Sequence, residues 1–443
     1  MLPVIIFGIA VGSAIFFSGC KKPPEDHPDD QDNNIVPKDT GAAPNDISAV
    51  PNDISAVPKD AGVDISGANA DMSIPLDAAK SDTAVPVTPN APAASSYTNM
   101  PCAFPASLAH DPSTNTLLAA CGGAPNALFR SQPLGQTGKW TQVGVVGGYP
   151  AHHIQLDNRF FLVNHGSPDG FTIIDAQTGL PSSEIAFSAL APRTLQNQPL
   201  GFTPNNPAGA IISGATLCIA TSNLNHFDAD PAKTTFYPGT VLCMPYKTSD
   251  GTVNTSNVTA IVTSGINTTG MTACGAQRFA VLSSGSYSPN PNQQASLDIC
   301  TLPSMNCTAT PLGAITAQIS PTLALTQSGM ILIGVQKPSP KVLGVSSTTG
   351  QIAYDRNVPE VQNFITSIAT HDHVAALSDF GQFGKGSAVL FADVNPNGWT
   401  GIPSSSINGS CGPSVVIGDA LYQSVTDNAG AAGSVWKLNM AGM

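Results

Sequence analysis

The chain has 443 residues, of which only 10% are charged, with 41 Gly, 38 Pro and a formal net charge of −12. That mix suits many short strands joined by turns and excludes an architecture of long surface helices, which need Lys and Glu. Residues 21–97 carry 13 acids and 5 bases and residues 98–443 carry 16 and 12. The larger part is therefore almost neutral, with no basic patch for phosphates, which argues against nucleic-acid binding.

Residues 1–19, MLPVIIFGIAVGSAIFFSG, form one apolar run ending in small residues before Cys20. The run has the size of a signal-peptide core and is short for a bilayer span. Phe17-Ser18-Gly19-Cys20 resembles the lipobox of bacterial lipoproteins. The resemblance implies cleavage before Cys20, acylation of its thiol with palmitate-type chains and a membrane anchor, since stable attachment takes more than one chain. Phe stands where Leu is usual, and no Lys or Arg precedes the core; an uncleaved membrane helix is the alternative. Lys21 after the Cys implies, by the same resemblance, the outer membrane of a bacterial envelope.

Residues 20–97 read as a disordered acidic tether. No aromatic precedes Tyr97, Pro recurs every few residues and the acids repel one another. Pro44–Val50 is repeated as Pro51–Val57, and Pro58-Lys59-Asp60 opens a third copy. The seven-residue period is not a coiled coil, because a Pro in every copy forbids a continuous helix.

From residue 98 to Met443 one unit recurs seven times. In its clearest form it is Ala210–Ile212, a Gly turn, Leu217–Ala220, a long polar loop, then Thr240–Met244. Further copies centre on Leu117–Ala120, Phe160–Val163, Phe279–Leu282, Met330–Ile333, Val374–Leu377 and Ala420–Tyr422. A spacing of roughly 45 to 60 residues is that of propeller blades. Each unit exposes an apolar face it cannot bury alone, and radial closure removes free sheet edges. The expectation is an all-β, seven-bladed propeller, with six or eight blades, a sandwich pair or a solenoid as alternatives. The last copy is too short for four strands, so residues near Tyr97–Phe104 are expected to supply the missing outer strand. The pattern Gly-turn, Leu-x-Val-Ala, long loop, Gly-[Ser/Thr]-Val resembles the YVTN and lactonase-like propeller repeats of bacterial surface proteins, a likeness of fold rather than chemistry.

Setting Cys20 aside leaves eight cysteines. In an exported chain an even count suggests disulfides. Cys218 and Cys243 fall on adjacent strands of one blade, Cys300 and Cys307 flank a short hairpin, and Cys102 with Cys121 is a third pairing. Cys274 and Cys411 map to distant blades. His152, His153, His165 and His226 are assigned to loops of one face with Asp228 and Asp230, a set able to bind Zn or Cu. Asn225–Asp230 also has the alternating oxygens of a Ca loop without the Gly and distal Glu of an EF-hand. Loop histidines and turn-capping aspartates are the plainer reading, and no cofactor is predicted. His110, His371 and His373 fall on turns of the opposite face.

Two functions follow. One is a non-enzymatic binding module for a protein, glycan or small ligand, with a monomeric head and its contacts in the loops carrying Phe227, Phe236, Tyr237 and Tyr287. The other is a metal-dependent hydrolase, lactonase-like or oxidoreductase enzyme built on the histidines and aspartates.

Overall fold

Short apolar runs such as Leu117–Ala120 and Ile331–Ile333 are bounded by Gly or Asn turns, so each forms a strand buried on both faces. The computed structural model describes residues 92–441, apart from 123–125, 137, 229, 287–292, 318–322, 382–385 and 396–397. Cys20, the apolar run before it and nearly all of the expected tether lie outside the described residues. Helix among the described residues is confined to three-residue turns such as Phe187–Ala189 and Pro231–Lys233.

The strands form seven antiparallel blades, each numbered in chain order and running from an inner to an outer strand. Blade 1 is Pro105–Asp111, Thr116–Cys121, Ala127–Pro133 and Thr141–Val145. Blade 2 is Gly148–Gln155, Phe160–Ser167, Asp169–Asp175 and Leu180–Ala186. Blade 3 is Pro207–Ser213, Thr216–Thr221, Pro238–Lys247 and Thr259–Ile266. Blade 4 is Thr268–Gly275, Arg278–Ser283, Ala295–Thr301 and Asn306–Gly313. Blade 5 is Leu323–Leu325, Met330–Lys337, Lys341–Ser346 and Ile352–Asn357. Blade 6 is Ile365–His371, Val374–Asp379, Ser387–Asn395 and Gly398–Ile407. Blade 7 is Ser410–Ile417, Ala420–Thr426 and Gly433–Asn439, completed by Ala94–Asn99 from the other end of the chain.

The inner strand of every blade touches that of the next, and the inner strand of blade 7 touches that of blade 1. The ring is closed. Seven apolar clusters fill its seven seams, each drawn from two consecutive blades. Phe161, Val163 and Leu118 join blades 1 and 2; Leu108, Leu117, Ala420 and Tyr422 join blades 7 and 1. No blade buries its own faces, so stacking supplies the core and a sandwich or open solenoid is ruled out.

The clasp strand lies slightly upstream of its expected place. Ala94–Asn99 pairs with Gly433–Asn439, from Ala94 opposite Leu438 to Asn99 opposite Ser434, whereas Tyr97–Phe104 was expected. Pro101 has no N–H for a ladder, and Cys102 turns aside to bond Cys121 of blade 1. The head therefore reaches back past residue 98. Pro92 O accepts from Ser405 Oγ of blade 6 at 2.5 Å, and Asn99 O accepts from Trp140 Nε1 of blade 1 at 2.6 Å.

All three expected disulfides form. Cys218 stands opposite Cys243, and Cys300 opposite Cys307, on neighbouring strands. Cys274 and Cys411 are free and buried. Burial pushes the Cys411 thiol up to about 12, which leaves it unionised and inert.

Candidate binding face

Segments arriving at a blade and turns between its second and third strands share one face, here called upper. Asp169 in such a turn of blade 2 accepts a hydrogen bond from the Asn206 N–H, just before the inner strand of blade 3, at 2.7 Å. Turns between first and second strands meet on the lower face, where His371 Nε2 lies 3.2 Å from Asp419 Oδ1 of the next blade.

The upper face of blade 3 carries an insertion, residues 222–237. It holds a small hairpin, Leu224–His226 with Thr235–Phe236, and the turn Pro231–Lys233. Asn223 organises its base. At φ +58° it adopts a left-handed conformation that Asn tolerates better than most residues. Its Oδ1 accepts from Asn205 N at 3.1 Å, while Nδ2 donates to Pro238 O at 2.7 Å and to Thr240 Oγ1 at 3.2 Å. Asn205 Nδ2 donates in turn to Leu224 O at 3.1 Å. An irregular loop so tied is a fixed platform. On it Phe227 is 42% exposed and Tyr237 38% exposed. Tyr237 stacks on Phe202 with ring centroids 4.6 Å apart. Blade 6 repeats the device with Phe364 on Phe380 at 4.8 Å. Phe236 is half-buried, and Tyr287 lies outside the described residues.

The aspartates of the insertion act as turn caps. Asp228 Oδ1 accepts from Asp230 N at 2.8 Å, and Asp230 Oδ1 from Ala232 N at 3.1 Å. Their local pairs are His226 with Asp228 at 3.8 Å and Lys233 with Asp230 at 3.7 Å, with Asp228 half-buried and the other three exposed.

The histidines differ from their assignment to loops. His152 and His153 lie within the inner strand of blade 2, and His165 within its second strand. The ladder continues beyond the apolar residues Ile154–Leu156 into polar sequence, with a bulge between Pro150 and His152. His165 is fully buried: Nδ1 donates to Pro168 O at 2.7 Å and Nε2 accepts from Thr172 Oγ1 at 3.0 Å. Both nitrogens are committed, and burial holds its pKa below the usual range. Burial takes His152 down to about 4 and pushes the Asp169 carboxyl up. His226 stands apart on the exposed hairpin. Among the described residues no three His, Cys, Asp or Glu side chains gather as a metal would need, so the expected histidine–aspartate set is not brought together.

Sequence reasoning missed Asn205, Asn223 and Phe202. A partial signal was present: Asn206 and Asn267 immediately precede inner strands and, like Asn223, take positive φ, although Asn115 does the same at a lower-face turn of blade 1.

No family model and no curated protein matches the chain. Solved structures do. Sqt1 of Saccharomyces cerevisiae is 12% identical with a TM-score of 0.52, over 78% of this chain and 86% of that one. The RRP9 WD40 repeats give 10% and 0.53, over 79% and 99%. A chain of the Mitotic Checkpoint Complex gives 10% and 0.53, over 83% and 99%. The head shares with them the fold of a seven-bladed β-propeller. At such identities the likeness is one of fold.

Proposed function

We propose that the protein is a cell-envelope lipoprotein, anchored by acyl chains on Cys20, whose propeller binds a partner protein through its upper face. The narrower kinship with YVTN and lactonase-like surface repeats belongs to the same reading. One observation carries it: the blade 3 insertion is locked at its base by Asn223 and Asn205 yet leaves Phe227 and Tyr237 exposed. Aromatic side chains on a rigid support give large contact area at little entropic cost. Two of the similar folds support a protein partner, one described as WD40 repeats and one taken from a multiprotein complex.

The two halves of the reading are tested separately. Labelling with a palmitate analogue should mark the wild-type chain and not Cys20→Ser; label on the variant would remove the anchor. A photo-crosslinking residue at Phe227, activated in intact cells, should trap one protein in a ratio that Tyr237→Asp reduces at least tenfold. Equal trapping from a lower-face position such as Asp419 would remove the upper-face assignment.

A further inference from the structure

Buried polar atoms without a partner among the described residues concentrate between blades 2 and 3. Four of the eight such atoms lie there, His152 Nδ1, both amide atoms of Asn164 and Asn205 Oδ1, while Arg130 Nε, Thr269 Oγ1, Tyr354 OH and Ser410 Oγ are scattered over blades 1, 4, 5 and 7. Asn164 is 0% exposed. His152 stands directly opposite Asn164 on neighbouring strands, so the two side chains rise from one face of the sheet. Ile154 and Leu162, two residues along on each strand, share that face and pack into the cluster joining blade 2 to blade 3. His152 and Asn164 thus continue this seam upward, beyond its apolar part. Asn205 belongs to the segment fastened to the same seam by the bond from Asn206 N to Asp169.

A dry seam with these groups unpaired would carry a heavy desolvation penalty, and native interiors meet such groups with ordered water. We infer that the seam between blades 2 and 3 binds an internal water molecule held jointly by His152 Nδ1 and the Asn164 amide, beside Asn205. Water suits the donor set, because the amide offers one donor and one acceptor group and the ring nitrogen one more. An ion does not. Both side chains are neutral, His152 being held so by burial, and Asp169 already engages Asn206 N. Asn205 Nδ2 holds Leu224 O of the insertion, so a water that also reached Asn205 Oδ1 would tie blade 2 to the platform that presents Phe227.

Crystals of the full-length chain at high resolution should show a water about 3 Å from both His152 Nδ1 and the Asn164 amide. A direct His152–Asn164 hydrogen bond with no density between them would overturn the inference. Oxygen-17 relaxation dispersion on the same protein counts long-lived waters. Asn164→Leu should lose at least one and melt a few degrees lower, since it strips the water of a partner. An unchanged count, or a higher melting temperature as expected for filling a dry seam, would also overturn it. Should Asn164→Leu not fold, His152→Phe decides by the same count.

Discussion

Cys102 and Cys121 join the segment just after the clasp strand to the second strand of blade 1, with Cα atoms 5.9 Å apart across 19 residues of sequence. The bond therefore secures the ring at the point where its two chain ends overlap. A cross-link closing a loop of this length contributes about 3 kcal/mol through the unfolded state. The Cys102→Ser, Cys121→Ser double variant should lose about that much in chemical denaturation. It should also expose the clasp to proteolysis before any other strand. An unchanged midpoint would mean that closure does not depend on the bond.

The clasp is held from both sides. Tyr97 OH donates to Gln136 O at 3.3 Å and accepts from Gly135 N at 3.0 Å, and its ring meets Tyr422 edge-on at 5.3 Å. Tyr97→Phe keeps the ring and deletes the hydroxyl, at an expected cost of about 1 kcal/mol. Deleting residues 92–99 should do more. Gly433–Asn439 would become a bare edge strand, and such edges pair with other chains. Light scattering should show association of the truncated head, while a monodisperse product would argue that another segment covers that edge.

Burial sets the acid limb of stability. The pKa of His152 is lowered from 6.5 to about 4, and that of His165 is lowered as well. The unfolded chain then takes up these protons first as pH falls. Stability is unaffected above about pH 6.5 and declines from there toward pH 4, by about 3 kcal/mol for His152 alone. Asp169 and Asp379, whose carboxyls are raised by burial, act in the opposite sense. The difference between wild type and His152→Leu isolates the histidine: the variant should show a flatter profile over that window. Parallel profiles would contradict the burial of His152.

The second strand of each blade is legible in the sequence because both its faces are buried, as at Leu117–Ala120 or Phe279–Leu282. Outer strands such as Leu180–Ala186 and Ile352–Asn357 are largely exposed and polar, so their alternation is too weak to separate from loop sequence. Cysteine pairing was readable because two of the pairs sit opposite one another on adjacent strands. That His152, His153 and His165 lie within strands was not, because ladder hydrogen bonds extend strands through polar residues that carry no hydrophobic period. Contacts between neighbouring blades, such as Asp169 of blade 2 with Asn206 N before blade 3, depend on close packing that no spacing within one repeat encodes.

Asn223 tests whether the platform, rather than its aromatics alone, makes the binding face. Asn223→Gly retains the positive φ at no steric cost but removes the side-chain bonds to Asn205, Pro238 and Thr240. Asn223→Ala removes the bonds and adds backbone strain of about 1 kcal/mol. Both should make residues 222–237 sensitive to limited proteolysis and weaken crosslinking at Phe227. The Ala variant alone should add a further drop in melting temperature. Equal melting temperatures for the two would mean the backbone relaxes there, and retained crosslinking in both would shift the determinant of binding from the scaffold to Phe227 and Tyr237 themselves.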